Sequence, residues 1–92
     1  MNEYRVFETD NYVRILEKIR GRDKTLIENK LLTSAYPQFK VEPHYGSNIK
    51  KLKNYIPETW RYRIGNYRVF YEINENEKIV NIIGISTRQN TY

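Results

Sequence analysis

The stretch WRYRIGNYRVFYEIN, Trp60 to Asn74, constrains the fold more than any other part of this 92-residue chain. Gly65-Asn66 separates two runs of alternating polarity, and a two-residue loop with glycine first is what a type II′ hairpin turn requires. Pairing Ile64 with Tyr67 sets Arg63 opposite Arg68, Tyr62 opposite Val69, Arg61 opposite Phe70 and Trp60 opposite Tyr71. Side chains alternate across a strand, so Trp60, Tyr62, Ile64, Tyr67, Val69, Tyr71 and Ile73 share one face. Arg61, Arg63, Arg68, Phe70 and Glu72 share the other. One side is built for a core, and the other gathers every arginine of the segment.

The remaining elements are read around this hairpin. After NENE, 74 to 77, a turn, the run KIVNIIGIST, 78 to 87, has the continuous apolar centre of a strand covered on both faces. EYRVFE, 3 to 8, is a short run of strand formers, and Thr9 or Asp10 can cap the helix that follows. In that helix Tyr12, Leu16 and Ile19 recur at helical spacing, and Gly21 suits its C-terminal end. Asp23 is the expected N-cap of a second helix carrying Ile27, Leu31, Leu32 and Ala35, which must finish before Pro37. Residues 37 to 48 read as a loop, and IKKLK, 49 to 53, as a short strand. The expected fold is α+β: a twisted, mainly antiparallel sheet of about four strands, with an N-terminal antiparallel helix pair packed on one face. The length suits one domain, residues 1–92.

Composition limits the chemistry. Sixteen Lys and Arg against eleven Asp and Glu give a net charge of +5, which favours an anionic partner such as nucleic acid. The absence of cysteine excludes disulfides and thiolate metal sites, and a single histidine, His44, leaves little to hold a metal. No metal and no organic cofactor are therefore expected. No apolar run is long enough to span a bilayer and the N-terminal residues lack a secretory signal, so a cytoplasmic protein with no membrane partner is expected.

Directly opposed like charges on neighbouring strands destabilise a sheet. Two guanidinium groups about 8 Å apart at an effective dielectric of about 20 repel by roughly 2 kcal/mol. Glu72 can offset part of this by pairing with Arg61, whereas an anion between the arginines removes it. Arginine offers a planar fork of donors suited to phosphate oxygens, and Phe70 offers a flat surface for stacking a base. Taken singly, each arginine fits a solvated strand face that discourages edge-to-edge aggregation. Three on one face beside an aromatic ring point instead to a phosphate site. Lys50, Lys51 and Lys53 are placed to follow a nucleic-acid backbone, although a short lysine run also serves as ordinary soluble surface. His44 reads equally as a surface residue or a proton carrier.

The segment LKNYIPETWRYRIGNYRVFYEINENEKIVNIIGISTRQNTY resembles the C-terminal part of the RelE/ParE superfamily of toxins, and the preceding strand and helices extend the resemblance over nearly the whole chain. RIGNYRVFYEI is its most specific part. The resemblance implies a toxin of a type II toxin-antitoxin pair, held inactive by a cognate antitoxin. RelE-like members are ribosome-dependent endoribonucleases that cleave mRNA and inhibit translation, whereas ParE-like members poison DNA gyrase without cutting RNA. Carried over by motif, Arg61 and Arg63 match the paired basic residues before the hairpin turn, Arg68 the arginine after it, Arg88 the arginine ending the last strand, and Tyr92 the C-terminal tyrosine. Strict alternation places Arg88 away from the other arginines unless the last strand carries a bulge.

The leading expectation is a metal-independent mRNA interferase. Arg61, Arg63, Arg68 and Arg88 hold the scissile phosphate, Tyr92 takes part in proton transfer, Phe70 contacts a base, and Lys50, Lys51 and Lys53 hold flanking phosphates of RNA on the ribosome. A gyrase inhibitor without enzymatic activity, and a degenerate toxin that only binds its antitoxin, remain alternatives.

Overall fold

A computed structural model describes residues 3–87 of the chain. Five strands and three α-helical segments follow in the order β1 (Arg5–Glu8), α1 (Asp10–Lys18), α2 (Gly21–Lys30), α3 (Tyr36–Val41), β2 (Ile49–Lys51), β3 (Trp60–Ile64), β4 (Tyr67–Asn74) and β5 (Ile79–Thr87). They form one sheet in the order β1-β5-β4-β3-β2. The fold class is the expected α+β, with five strands where about four were anticipated. β1 falls within the run of strand formers read at 3 to 8; what was not anticipated is that it runs parallel to β5, while the other pairs are antiparallel. A pairing between the two ends of the chain leaves no turn signal to read.

The hairpin has the expected register: Ile64 pairs with Tyr67, Arg63 with Arg68, Tyr62 with Val69, Arg61 with Phe70 and Trp60 with Tyr71. Of the two turn residues only Gly65 has a positive φ, +55°, as a type II′ turn demands and as side chains with a Cβ resist. On one face Tyr62, Ile64, Val69 and Tyr71 are buried with Val80, Ile82 and Ile85 of β5. Tyr12, Leu16, Ile27, Leu31, Ala35, Tyr36 and Phe39 from the helical half complete this core. The arginine face of β3 and β4 therefore looks away from the helices.

The helical half departs from the expectation in three places. Thr9 caps α1 as anticipated, its hydroxyl accepting from the Tyr12 N–H at 3.3 Å. Asp23 does not cap α2: the helix starts at Gly21, whose φ of +64° turns the chain sharply between the two helices. Asp23 sits in the first turn, where its charge complements the free N–H groups, and accepts a hydrogen bond from the Tyr67 hydroxyl at 2.7 Å. Pro37 does not end the helical path either. After α2 the chain widens into a π-helical turn, Leu31–Ala35, in which the Tyr36 N–H bonds back to the Leu31 carbonyl. A proline cannot donate to a carbonyl four residues back and clashes with it. The widened turn starts α3 afresh, with Pro37 in its first turn, where no donor is needed. The expected loop thus shrinks to residues 42–48, and α3 delivers Phe39 into the core with no exposed surface.

β5 carries a bulge. Phe70 pairs with Gly84 but Tyr71 pairs with Ile82, leaving Ile83 unmatched. Beyond it Ser86 lies opposite Arg68, so the last part of β5 runs in a different phase from strict alternation.

Candidate functional site

Arg61, Arg63 and Arg68 come together on the face of the sheet opposite the helices. Arg61 and Arg68 are half-buried, and Arg63 is exposed. With Lys50 and Leu52 they line a pocket of about 150 Å³. Lys50 enters because it pairs with Arg61 across β2 and β3. The alternating residue pattern identified β2 but carried no information on its register, so this placement was not legible beforehand.

The pocket is cationic. Among the described residues no carboxylate forms an ion pair with any of the three arginines. The expected Glu72–Arg61 pair is absent: Glu72 lies opposite Asn81, beyond the end of β3, and the Arg61 guanidinium donates instead to the Asn48 carbonyl at 2.7 Å. The same carbonyl accepts the Arg63 N–H at 3.0 Å, so one backbone oxygen ties two arginines to the loop before β2. Burial, and then the charges of Arg63 and Arg68, pull the Arg61 guanidinium below its ordinary value. An anion in this pocket is offered several donors and relieves the repulsion among them.

One expected RNA contact is corrected, and two of the lysines lie apart from the pocket. Phe70 lies opposite Arg61 but is only 1% exposed, so its ring has no open face on which a base can stack. Alternation assigns a residue to a face of the sheet and says nothing of what covers it. Lys51 pairs with Trp60, on the other face from Lys50; its ammonium lies 3.0 Å from Glu58 and 5.8 Å from the centre of the Trp60 ring. Lys53 falls in the exposed turn after β2 and does not line the pocket. Arg88 and Tyr92 lie outside the described residues.

A second polar cluster went unrecognised. His44 bridges two carboxylates: its Nδ1 lies 2.8 Å from Glu42, and its Nε2 contacts Glu75 in the turn between β4 and β5. The Tyr4 hydroxyl donates to Glu75 at 2.8 Å, and Lys78 lies 3.7 Å from the same carboxylate. Partial burial lowers the affinity of His44 for its proton, but the hydrogen bonds and charges of Glu42 and Glu75 outweigh this and raise its pKa above the ordinary 6.5. Hydrogen bonds from the His44 N–H and ring lower Glu42, and those from Tyr4 and His44 lower Glu75.

The cluster joins the N-terminal segment, the 42–48 loop and the β4–β5 turn, so its charge state bears on stability. The contribution of His44 is complete below pH 6.5 and fades as pH rises through its elevated folded value. The contributions of Glu42 and Glu75 are present above their ordinary 4.5 and fade as pH falls through their lowered folded values. The expected result is that His44→Gln lowers the melting temperature more at about pH 6 than at about pH 8.5, measured by thermal denaturation. An equal loss at both pH values would show that the imidazolium does not act through its charge.

A small sheet covered by helices on one face and bearing an arginine pocket on the other fits the RelE/ParE resemblance of the sequence. Comparison with known proteins agrees. The chain belongs to the family described as ParE toxin of type II toxin-antitoxin system, parDE, whose model matches residues 2–92, and it is thus a toxin of such a system. No curated protein matches it. Among solved structures, a chain of the toxin-antitoxin complex RelBE2 from Mycobacterium tuberculosis superposes with a TM-score of 0.72 at 22% identity, covering 94% of this chain and 99% of that one. A chain of the archaeal RelE-RelB complex from Pyrococcus horikoshii gives 0.62 at 24% identity, covering 99% and 100%. The isolated E. coli RelE toxin gives 0.67 at 16% identity, covering 96% and 87%. At such identities these likenesses establish the fold. No helix among the described residues is long and apolar enough to cross a membrane.

Proposed function

We propose that this toxin is a metal-independent endoribonuclease that cleaves mRNA on the ribosome. The observation that carries the reading is the pocket formed by Arg61, Arg63, Arg68 and Lys50, which is sized for a phosphate and has, among the described residues, no carboxylate paired to its arginines. Cleavage through the 2′-hydroxyl needs that proton removed, charge on the phosphorane stabilised and a proton given to the departing 5′-oxygen. Guanidinium groups serve the second need and are poor at the others, because they hold their protons too tightly. Lys50 is the pocket's ammonium, and it supplies the proton for the leaving oxygen. Arg88 and Tyr92 keep the roles that the resemblance implies, the first on the phosphate and the second in proton transfer. The cognate partner is an antitoxin, as in the RelE-RelB complexes whose fold the chain shares.

The family's name favours a second reading, in which the basic face inhibits DNA gyrase without cutting RNA. Two assays on the purified toxin separate them. The nuclease reading expects programmed ribosomes to yield message ending in a 2′,3′-cyclic phosphate and gyrase supercoiling to be unaffected. Intact message with blocked supercoiling would reject it.

A further inference from the structure

Arg63 lines a second depression besides the arginine pocket. This neighbour, about 280 Å³, is walled by Lys30 and Ser34 from the helical half, by Asn48, and by Tyr62, Arg63, Ile64 and Gly65 of the hairpin. We propose that it is a nucleoside subsite, holding the nucleotide next to the phosphate bound in the arginine pocket. The inference rests on the reading of that pocket as an RNA site.

Three observations point to it. The two pockets share Arg63, which lies past the last β2 pairing at the open edge of β3, so a chain held on the arginine face reaches the second pocket over that edge. That shared residue is fixed in place, because the Asn48 carbonyl accepts both the Arg63 N–H and the Arg61 guanidinium. The second pocket is lined by polar groups of mixed kind: the Lys30 ammonium, the Ser34 hydroxyl and the Asn48 amide, all on exposed residues. An amide and a hydroxyl present both donors and acceptors, as the edge of a base requires, whereas a site for phosphate alone needs only donors. Lys30 adds charge for the flanking phosphodiester. The volume admits one nucleoside.

The test uses a 2′-O-methyl trinucleotide, which cannot be cleaved, and inorganic phosphate as separate probes of the full-length protein by NMR titration. The trinucleotide is expected to shift the backbone signals of Lys30, Ser34 and Gly65 as well as those of Arg61 and Arg68, and phosphate only the latter. Lys30→Gln should weaken trinucleotide binding about tenfold while leaving phosphate binding unchanged. Asn48→Ala should also weaken the trinucleotide, since it removes the amide but keeps the carbonyl that anchors both arginines. A trinucleotide that shifts the same signals as phosphate, fails to bind, or binds both variants as tightly as the unaltered protein would overturn the subsite. None of these measurements needs a ribosome or turnover. Failure of the nuclease reading would appear as intact message, and failure of the subsite as an unmoved second pocket.

Discussion

Arg68→Ala is expected to slow cleavage of ribosome-bound mRNA by about 100- to 1,000-fold, the usual cost of removing one preorganised donor from a developing charge. Its melting temperature should be no lower than that of the unaltered toxin. Both halves follow from one geometric fact: Arg68 lies directly opposite Arg63 on the neighbouring strand and beside half-buried Arg61, with no carboxylate among the described residues paired to any of them. In the free protein these cations repel one another, so deleting one relieves the sheet. With a phosphate bound the same cations become donors, so deleting one removes stabilisation only where negative charge accumulates. Arg68→Lys keeps the charge but loses the planar fork, and should fall between the two. Single-turnover cleavage and thermal denaturation on the same preparations check the pair of expectations. A variant that cleaves at the original rate would move the scissile phosphate away from β4, and one that unfolds would make Arg68 a structural residue.

How well each part of the protein could be read from sequence depended on whether its determinants are local. The β3–β4 register was legible residue by residue, because Gly65 specifies the turn and alternation then leaves one pairing that buries an apolar face. The convergence of Arg61, Arg63 and Arg68 followed from that register. Lys50 joined them through β2, whose pairing with β3 crosses the loop 52–59, too long for its turn residues to set the register. Phe70 was placed on the correct face yet misjudged, since burial depends on neighbours distant in sequence. The bulge that unpairs Ile83 was stated only as the condition for Arg88 to join the other arginines, and Gly84 beside it is the one residue that marks its place. In the helical half Pro37 was read by its usual meaning, the end of a helix. The π-helical turn before it reconciles a proline with a continuing helical path, and Leu31 to Ala35 carry no motif announcing such a turn.

That misread segment provides the largest expected effect on stability. Phe39→Ala should cost about 3–5 kcal/mol in urea or thermal unfolding, the range for removing a large aromatic from a packed core. For a domain of this size that lowers the melting temperature by more than about 10 °C. Phe39 has no exposed surface, and its ring centre lies 4.3 Å from that of Tyr71, 5.5 Å from Tyr62 and 6.3 Å from Tyr36. It therefore packs α3 against the core face of β3 and β4, the same two strands whose other face carries the arginines. Leu32→Ala is the matched control: the side chain lies only seven residues ahead in sequence but is 66% exposed, so its loss should stay within about 0.5 kcal/mol. If the two variants were equally mild, α3 would not be docked and residues 37–41 would behave as the loop that Pro37 alone implies. A large loss at Phe39 and none at Leu32 means that the sheet holding the cationic pocket is braced from behind by a helix that a proline was expected to forbid.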